Sequence, residues 1–234
     1  GQDEIINSIC AYNRKIYFGF KKDKPYSFLF VGPTGVGKTL FVKEYATSLY
    51  GSDNFIRIDM SEYKEEYSIS KLLGSAPGYV GYREDNTVME KIRNHPNCVI
   101  LLDEIEKASP AVIKVFLQAL DEGVVHDAVG RSISFKNAII FMTSNLGCNN
   151  LSIGFMDDNS LNQSLKDFLS VEFLNRIDKV FTFKKLDEVV VKKIINKKLN
   201  MLKKQYYDKD INVVFSKKIV DNIFMGNHRN NSWC

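Results

Sequence analysis

"SFLFVGPTGVGKT", Ser27 to Thr39, decides the fold. Its first half is a short apolar run, the signature of a strand. Its second half, Gly32 to Thr39, fits the pattern G-x-x-x-x-G-K-[ST] between a strand and a helix. Glycines permit φ > 0 and let backbone N–H groups close around phosphate oxygens. The following helix adds the positive end of its dipole. The candidate cradle is therefore Gly32, Pro33, Thr34, Gly35, Val36, Gly37, Lys38 and Thr39. Lys38 is the group suited to β- and γ-phosphates, and Thr39 is a hydroxyl ligand for Mg²⁺.

Two more strand exits complete the pattern. "CVILLDE" ends in Asp103 and Glu104 after a continuous apolar run. Asp103 then stands at the carboxyl end of a buried strand, where open α/β sheets bind ligands. It is the second Mg²⁺ candidate, directly or through water. Glu104 points elsewhere and suits a general base that activates water. The plain alternative is a pair of acids favoured at a helix start. "FMTSN" ends in Asn145, which can orient that water or touch the γ-phosphate; standing alone it reads as a turn or cap.

The remaining chain supplies the scaffold. Residues 2–18 read as an amphipathic helix, with Ile5, Ile6, Ile9 and Ile16 at helical spacing. Strands are expected at 27–31, 54–59, 97–103 and 137–145, with "DKVFTF" (178–183) as a fifth. Strands alternating with helical segments imply an α/β fold with a parallel sheet between helices. Beyond Lys184 the pattern changes to helices, Asp187 to about Tyr207 and Ser216 to about Met225. A boundary there divides a large domain, 1–184, from a small helical one, 185–234.

Composition excludes several classes. The 234 residues are 44% hydrophobic and 26% charged, enough to bury a core. Net charge is +4 with scattered basic residues, which argues against nucleic acid. "VVKKIINKKL" (190–199) has the spacing of a solvated helix face. Cys10, Cys98, Cys148 and Cys234 form no C-x-x-C pair, so a reducing compartment is expected. No run has the length of a membrane span and no signal peptide is visible. The first residue is Gly, so a fragment or processed product is expected. Rich use of Phe, Tyr, Ile, Asn and Lys hints at an AT-rich genome, such as a plastid-type organelle's.

Taken together the motifs resemble the AAA+ module of Clp-type unfoldases, specifically the second module of ClpA, ClpB and ClpC. The likeness runs nearly continuously from Gly1 to about Lys185. It rests on "GQDEII", "DMSEY" (59–63), "GSAPGYVGY" (74–82), "LLDEIEKASP" (101–110), "LDEGVVHDAVGRSISFKN" (120–137), "TSNLG" (143–147) and "EFLNRID" (172–178). The resemblance implies a five-stranded P-loop fold with a helical lid, ATP and Mg²⁺ as cofactors, and ATP hydrolysis. It implies a homo-hexameric ring that threads unfolded or tagged proteins, with adaptors as further partners. It makes Arg176 an arginine finger that reaches the neighbour's γ-phosphate, the plain alternative being a pair with Asp178. It makes Tyr79 and Val80 pore residues that grip polypeptide. A second pore segment falls at Val124 to Arg131, where His126, a lone histidine, reads as incidental.

Departures narrow the expectation. The family's G-A-R signature is replaced by "FMGNHRNNSWC", with Arg229 a poor candidate for the nucleotide-sensing arginine. The lid is therefore expected to be truncated. One feature favours a protease partner. "CNNLSIGFMDDNS" (148–160) sets Ile153, Gly154 and Phe155 in a polar loop. Protease-coupled members of the family carry such a tripeptide to dock on a ClpP-type peptidase. A disaggregase without protease, or a nucleotide-binding scaffold with little hydrolysis, stays open as an alternative.

Overall fold

In the computed structural model, residues 2–18, 23–75, 87–146, 165–166, 168–216 and 218–229 are described. The pore residues Tyr79 and Val80, and the tripeptide Ile153, Gly154 and Phe155, lie outside them.

Five strands form one parallel sheet among the described residues, in the spatial order β2-β3-β6-β1-β7. They are β1 (Tyr26–Val31), β2 (Phe55–Asp59), β3 (Val99–Asp103), β6 (Ile139–Ser144) and β7 (Lys179–Thr182). All five expected strands are present, each within two residues of its expected ends. Parallel pairing needs a crossover between strands, and the crossovers place helices on both faces.

Side-chain alternation then divides the core in two. On one face Leu29, Val31, Ile100, Leu102, Ile140 and Met142 pack with α5 (Pro110–Glu122), through Val112, Phe116 and Leu120. On the other, Phe28, Phe30, Val99, Leu101 and Phe141 pack with α1 (Asp3–Tyr17) and α2 (Lys38–Tyr50). Phe30 sits at the middle of this second face, with Phe141, Phe181 and Phe183 rings 5.2, 5.8 and 4.8 Å away.

The α1 stripe differs by one residue from its expectation. Ile5 and Ile9 are buried, and Ile16 packs beside them with Tyr12, but Ile6 is 44% exposed. A helix presents i, i+4 and i+7 on one face; i+1 is rotated about 100° away. Gln2 ties this helix to the end of the sheet domain, its amide nitrogen donating to the Lys184 carbonyl at 2.9 Å.

Sequence patterning missed α3 (Ile69–Leu73), α4 (Val88–Asn94) and a hairpin of β4 (Val124–His126) with β5 (Ser132–Ser134). A helix is expected over 161–174, and α6 (Val171–Leu174) lies at its end. The hairpin turn is held by the Asp127 carboxylate. It accepts N–H groups from Val129 at 3.0 Å and Arg131 at 2.8 Å, and pairs with the Arg131 guanidinium at 2.6 Å. His126 is exposed on this hairpin. Past β7 the chain continues as α7 (Glu188–Tyr207) and α8 (Ile219–Arg229), close to the two expected helices. Arg229 is the last residue of α8. Among the described residues no helix is long and apolar enough to cross a membrane.

Candidate active site

Strand order brings the polar strand exits together. β1 lies beside β6, and β6 beside β3. Val31 pairs with Ser144 and Leu102 with Met142, so the chain ends at 32, 103 and 145 share one edge.

The loop from Gly32 to Gly37 turns back over that edge. Gly32, Gly35 and Gly37 have φ of 152°, 76° and 100°. Gly32 is also a close approach: a Cβ there would lie 2.6 Å from the Phe183 carbonyl oxygen. Gly37 caps α2 in the left-handed region, so Lys38 and Thr39 enter the first helical turn. Lys38 is only 7% exposed. Its ammonium donates to the carbonyls of Gly32 at 2.5 Å and Pro33 at 2.8 Å, and to Asn145 Oδ1 at 2.9 Å. A buried cation needs such partners, because removing it from water is costly.

Thr39 and Asp103 meet. The Thr39 hydroxyl lies 3.1 Å from Oδ1 and 3.3 Å from Oδ2 of the carboxylate. Asp103 is 5% exposed and fully engaged. Thr143 donates to its Oδ1 at 2.6 Å, and Arg57 pairs with Oδ2 at 2.7 Å. The charged pair has a second arm: Arg57 also lies 3.9 Å from Asp59. The Ser61 hydroxyl, donating to Asp59 at 2.6 Å, is the main reason that the Asp59 carboxyl sits below its usual pKa.

Glu104 stands next to this group but faces another way. Its backbone is left-handed, φ 57° and ψ 57°, which non-glycine residues adopt at a cost. Its N–H donates to Thr143 Oγ1 at 2.9 Å. Its carboxylate accepts from Asn145 Nδ2 at 3.1 Å and pairs with Lys107 at 2.5 Å. That hydrogen bond pushes the Lys107 ammonium above the ordinary lysine pKa. Asn145 thus bridges Lys38 and Glu104, and its own N–H donates to Glu106 at 2.9 Å.

Lys38, Thr39, Asp103, Glu104 and Asn145 are therefore one connected group. Arg176 is outside it. Its guanidinium is bound to Asp121 near the end of α5, with Nη2 donating to Oδ2 at 3.2 Å and Nε 2.8 Å from Oδ1 but poorly aligned for a hydrogen bond. The alternative pairing with Asp178 is not formed. The Asp178 carboxylate instead accepts the Ser27 N–H at 2.9 Å, anchoring the start of β1.

Sequence reading missed Arg57, Lys107, Asp121 and Thr143. Thr143 had a faint signal, standing two residues before Asn145 on a strand exit already singled out. The other three carry no local pattern.

The arrangement offers hard oxygen donors and a glycine cradle. A hydroxyl and a carboxylate side by side, at the first turn of a helix, suit a small divalent cation that takes its other ligands from phosphate and water. The buried ammonium and positive-φ glycines suit phosphate oxygens. The donor set fits Mg²⁺ and a nucleoside triphosphate.

A family model for the AAA domain (Cdc48 subfamily) matches residues 23–180. The chain is 43% identical over 224 residues to the chaperone protein ClpB of Malacoplasma penetrans, covering 94% of this chain and 32% of that protein. It is 44% identical over 223 residues to the Clp protease ATP-binding subunit ClpE of Lactococcus lactis, covering 91% and 30%. The corresponding subunit ClpC of Staphylococcus aureus is 40% identical over 240 residues, covering 95% and 29%. The chain spans about a third of the length of these curated relatives. Among solved structures, a closed-state cryo-EM reconstruction of Hsp104 with ATPγS and FITC-casein superposes with a TM-score of 0.80. That match has 37% sequence identity and covers 87% of this chain and 37% of the other.

Proposed function

This chain belongs to the AAA family of ATPase domains, in its Clp-type branch, and from that premise we propose that it is the ATP-hydrolysing module of a ring-forming protein unfoldase. The observation that carries the reading is the connected group at the carboxyl edge. Asn145 joins the phosphate-loop lysine to Glu104, while Thr39 meets Asp103.

Roles follow from chemistry. Lys38 neutralises charge on the β- and γ-phosphates, and the cradle from Gly32 to Gly37 supplies backbone donors. Thr39 and Asp103 would hold Mg²⁺, whose chemistry there would be to offset the charge of the triphosphate. Glu104 takes the proton of the attacking water, and Asn145 orients both. Arg176 serves the neighbouring subunit. Its tie to Asp121 holds the guanidinium away from its own site, as a group acting in trans requires. Such contacts close into rings when head-to-tail, and a homo-hexamer is the assembly proposed. Residues 1–184 then form the large domain and 185–234 a lid, whose movement drives Tyr79 and Val80 along a threaded polypeptide. A reducing compartment suits the unpaired Cys10 and Cys98, and the AT-rich coding bias supports a plastid-type stroma or a comparable cytosol.

Coupling to a ClpP-type peptidase is the finer proposal. Ile153, Gly154 and Phe155 support it, because several weak apolar contacts around one ring add up through effective concentration. Similar identity to ClpB favours a second reading, a disaggregase without protease. Hydrolysis and substrate unfolding by the intact protein, both lost in Lys38→Ala, test the first proposal. Persistence of hydrolysis in that variant would reject it. Pull-down of a ClpP-type ring by wild type and by Phe155→Ala separates the other two readings. Loss of capture in the variant supports a protease partner docked through the tripeptide, equal capture removes the tripeptide from that role, and no capture by either protein supports the disaggregase.

A further inference from the structure

We infer that Thr143 is a positioning residue for ATP hydrolysis, its buried hydroxyl holding Asp103 and the turn that presents Glu104. This rests on the ATPase reading and adds a residue to it. Thr143 lies on β6, 1% exposed, on the same sheet face as Ile139 and Phe141. A threonine hydroxyl has one proton and two lone pairs. At 2.6 Å from Asp103 Oδ1, the hydroxyl must be the donor, because an ionised carboxylate has no proton to give. A bond of that length is in the charge-assisted range. A lone pair is then left for the Glu104 N–H at 2.9 Å.

One hydroxyl therefore fixes two things on either side of a single peptide unit. It sets the orientation of the Asp103 carboxylate, whose Oδ1 also faces the Thr39 hydroxyl at 3.1 Å. It also satisfies the N–H of a residue in the left-handed region. That conformation is strained for a side-chain-bearing residue. It persists where the surroundings over-determine it. Turning there is what sends the Glu104 side chain toward Asn145 and Lys107, while Asp103 faces Thr39 and Arg57. Two adjacent acids with different tasks need such a divide. Without the hydroxyl, a carboxylate oxygen loses its shortest partner and a half-buried N–H loses its acceptor in the same stroke.

The test uses the intact assembled protein with Thr143→Val, which keeps the shape and removes the hydroxyl, and Thr143→Ser, which keeps the hydroxyl. Thr143→Val is expected to lower kcat roughly ten- to hundredfold, the scale of hydrogen bonds to charged groups. KM for ATP should stay within about threefold, since uniform binding is not what is lost. A fluorescent ADP analogue should bind Thr143→Val as it binds wild type. Thr143→Ser should recover most of the rate. Because Thr143 acts largely through Glu104, adding Thr143→Val to Glu104→Gln should slow turnover far less than it does alone. Should the valine variant fail to assemble, Thr143→Ala takes its place. A slow alanine beside a fast serine supports the role.

Three results would overturn the inference: unchanged kcat without the hydroxyl, a serine variant as slow as the variant lacking the hydroxyl, or full additivity with Glu104→Gln. Wild-type hydrolysis that Lys38→Ala abolishes and Thr143→Val leaves intact sinks this inference alone. No hydrolysis by the wild-type protein sinks the ATPase reading and this inference together.

Discussion

The carboxyl edge of the sheet and the C-terminal helix pair hold their polar side chains in opposite ways. At the edge, Lys38, Asp103 and Thr143 are buried, and each bonds to groups from other elements. In the twenty-residue helix α7, no residue is buried. It meets α8 through Lys192, which pairs with Asp221 at 2.7 Å and lies 5.3 Å from the Phe224 ring centre. The first arrangement is held in place because Lys38, Asp103 and Thr143 are both buried and satisfied. The second sets a part-exposed charge pair beside one buried ring, Phe224, and such pairs contribute little. Chemistry sits where a misplacement is costly to make; the helices proposed as a lid sit where reorientation breaks few contacts.

The comparison can be broken at its strongest point first. Glu104→Gln should cut ATP turnover by about 10²–10⁴-fold, the usual worth of a positioned acid or base. Steady-state hydrolysis with retained nucleotide binding checks this, and an unchanged rate would remove Glu104 from its role. Next is the sheet itself. Phe30→Ala should destabilise by about 3–5 kcal/mol in chemical denaturation, whereas Met201→Ala on exposed α7 should stay within about 0.5 kcal/mol. Similar losses at both would erase the contrast. Gly32→Ala should cost about 1–3 kcal/mol, since the new methyl meets the Phe183 carbonyl and forces the overpacking to be relieved. A thermal melt of the variant measures it.

Smaller effects sharpen the other side. Lys192→Ala should speed limited proteolysis within α7 and α8 while leaving the melting of the sheet unchanged. Faster cleavage in both regions would mean that the helix pair supports the sheet. The mildest probe is alkylation near pH 8. Cys98 opens the apolar run of β3, and burial pushes its thiol up to about 12. Cys10 is exposed. Mass spectrometry of native protein should find Cys10 modified and Cys98 spared, with Cys98 reacting once the chain unfolds. The sign for stability follows. Unfolded thiol ionises near about 8.5, so the contribution of the neutral buried thiol is complete below that pH. It declines as pH rises toward 12.

Much of the site was legible because it is local. The phosphate loop, Asp103, Glu104 and Asn145 each follow an apolar strand run within a few residues, and apolar runs are the strongest signal in a sequence. Arg176 carried no such signal for its partner. Asp121 is 55 positions away and meets it only because α5 and the turn after α6 pack together. The β4–β5 hairpin was equally hidden. Three-residue strands show no periodicity, and the turn owes its shape to one carboxylate, that of Asp127, accepting two N–H groups. Ile6 was misread as core because four isoleucines suggested one stripe, while the helix twist allows only some of them to face inward.

By itself the sequence determined that a glycine loop with lysine and threonine follows a buried strand, that two further strands end in polar groups, and that the last segment is helical. Those are properties of neighbouring residues, set by backbone freedom and by the burial of short apolar runs. Only the tertiary structure decided which strand ends touch. The order β2-β3-β6-β1-β7 sets β6 between β3 and β1. That places the Thr143 hydroxyl between Asp103 and the Glu104 N–H, and Asn145 between Lys38 and Glu104. Strand order follows from how two cores close on opposite faces of one sheet, a balance over the whole chain that no short stretch contains.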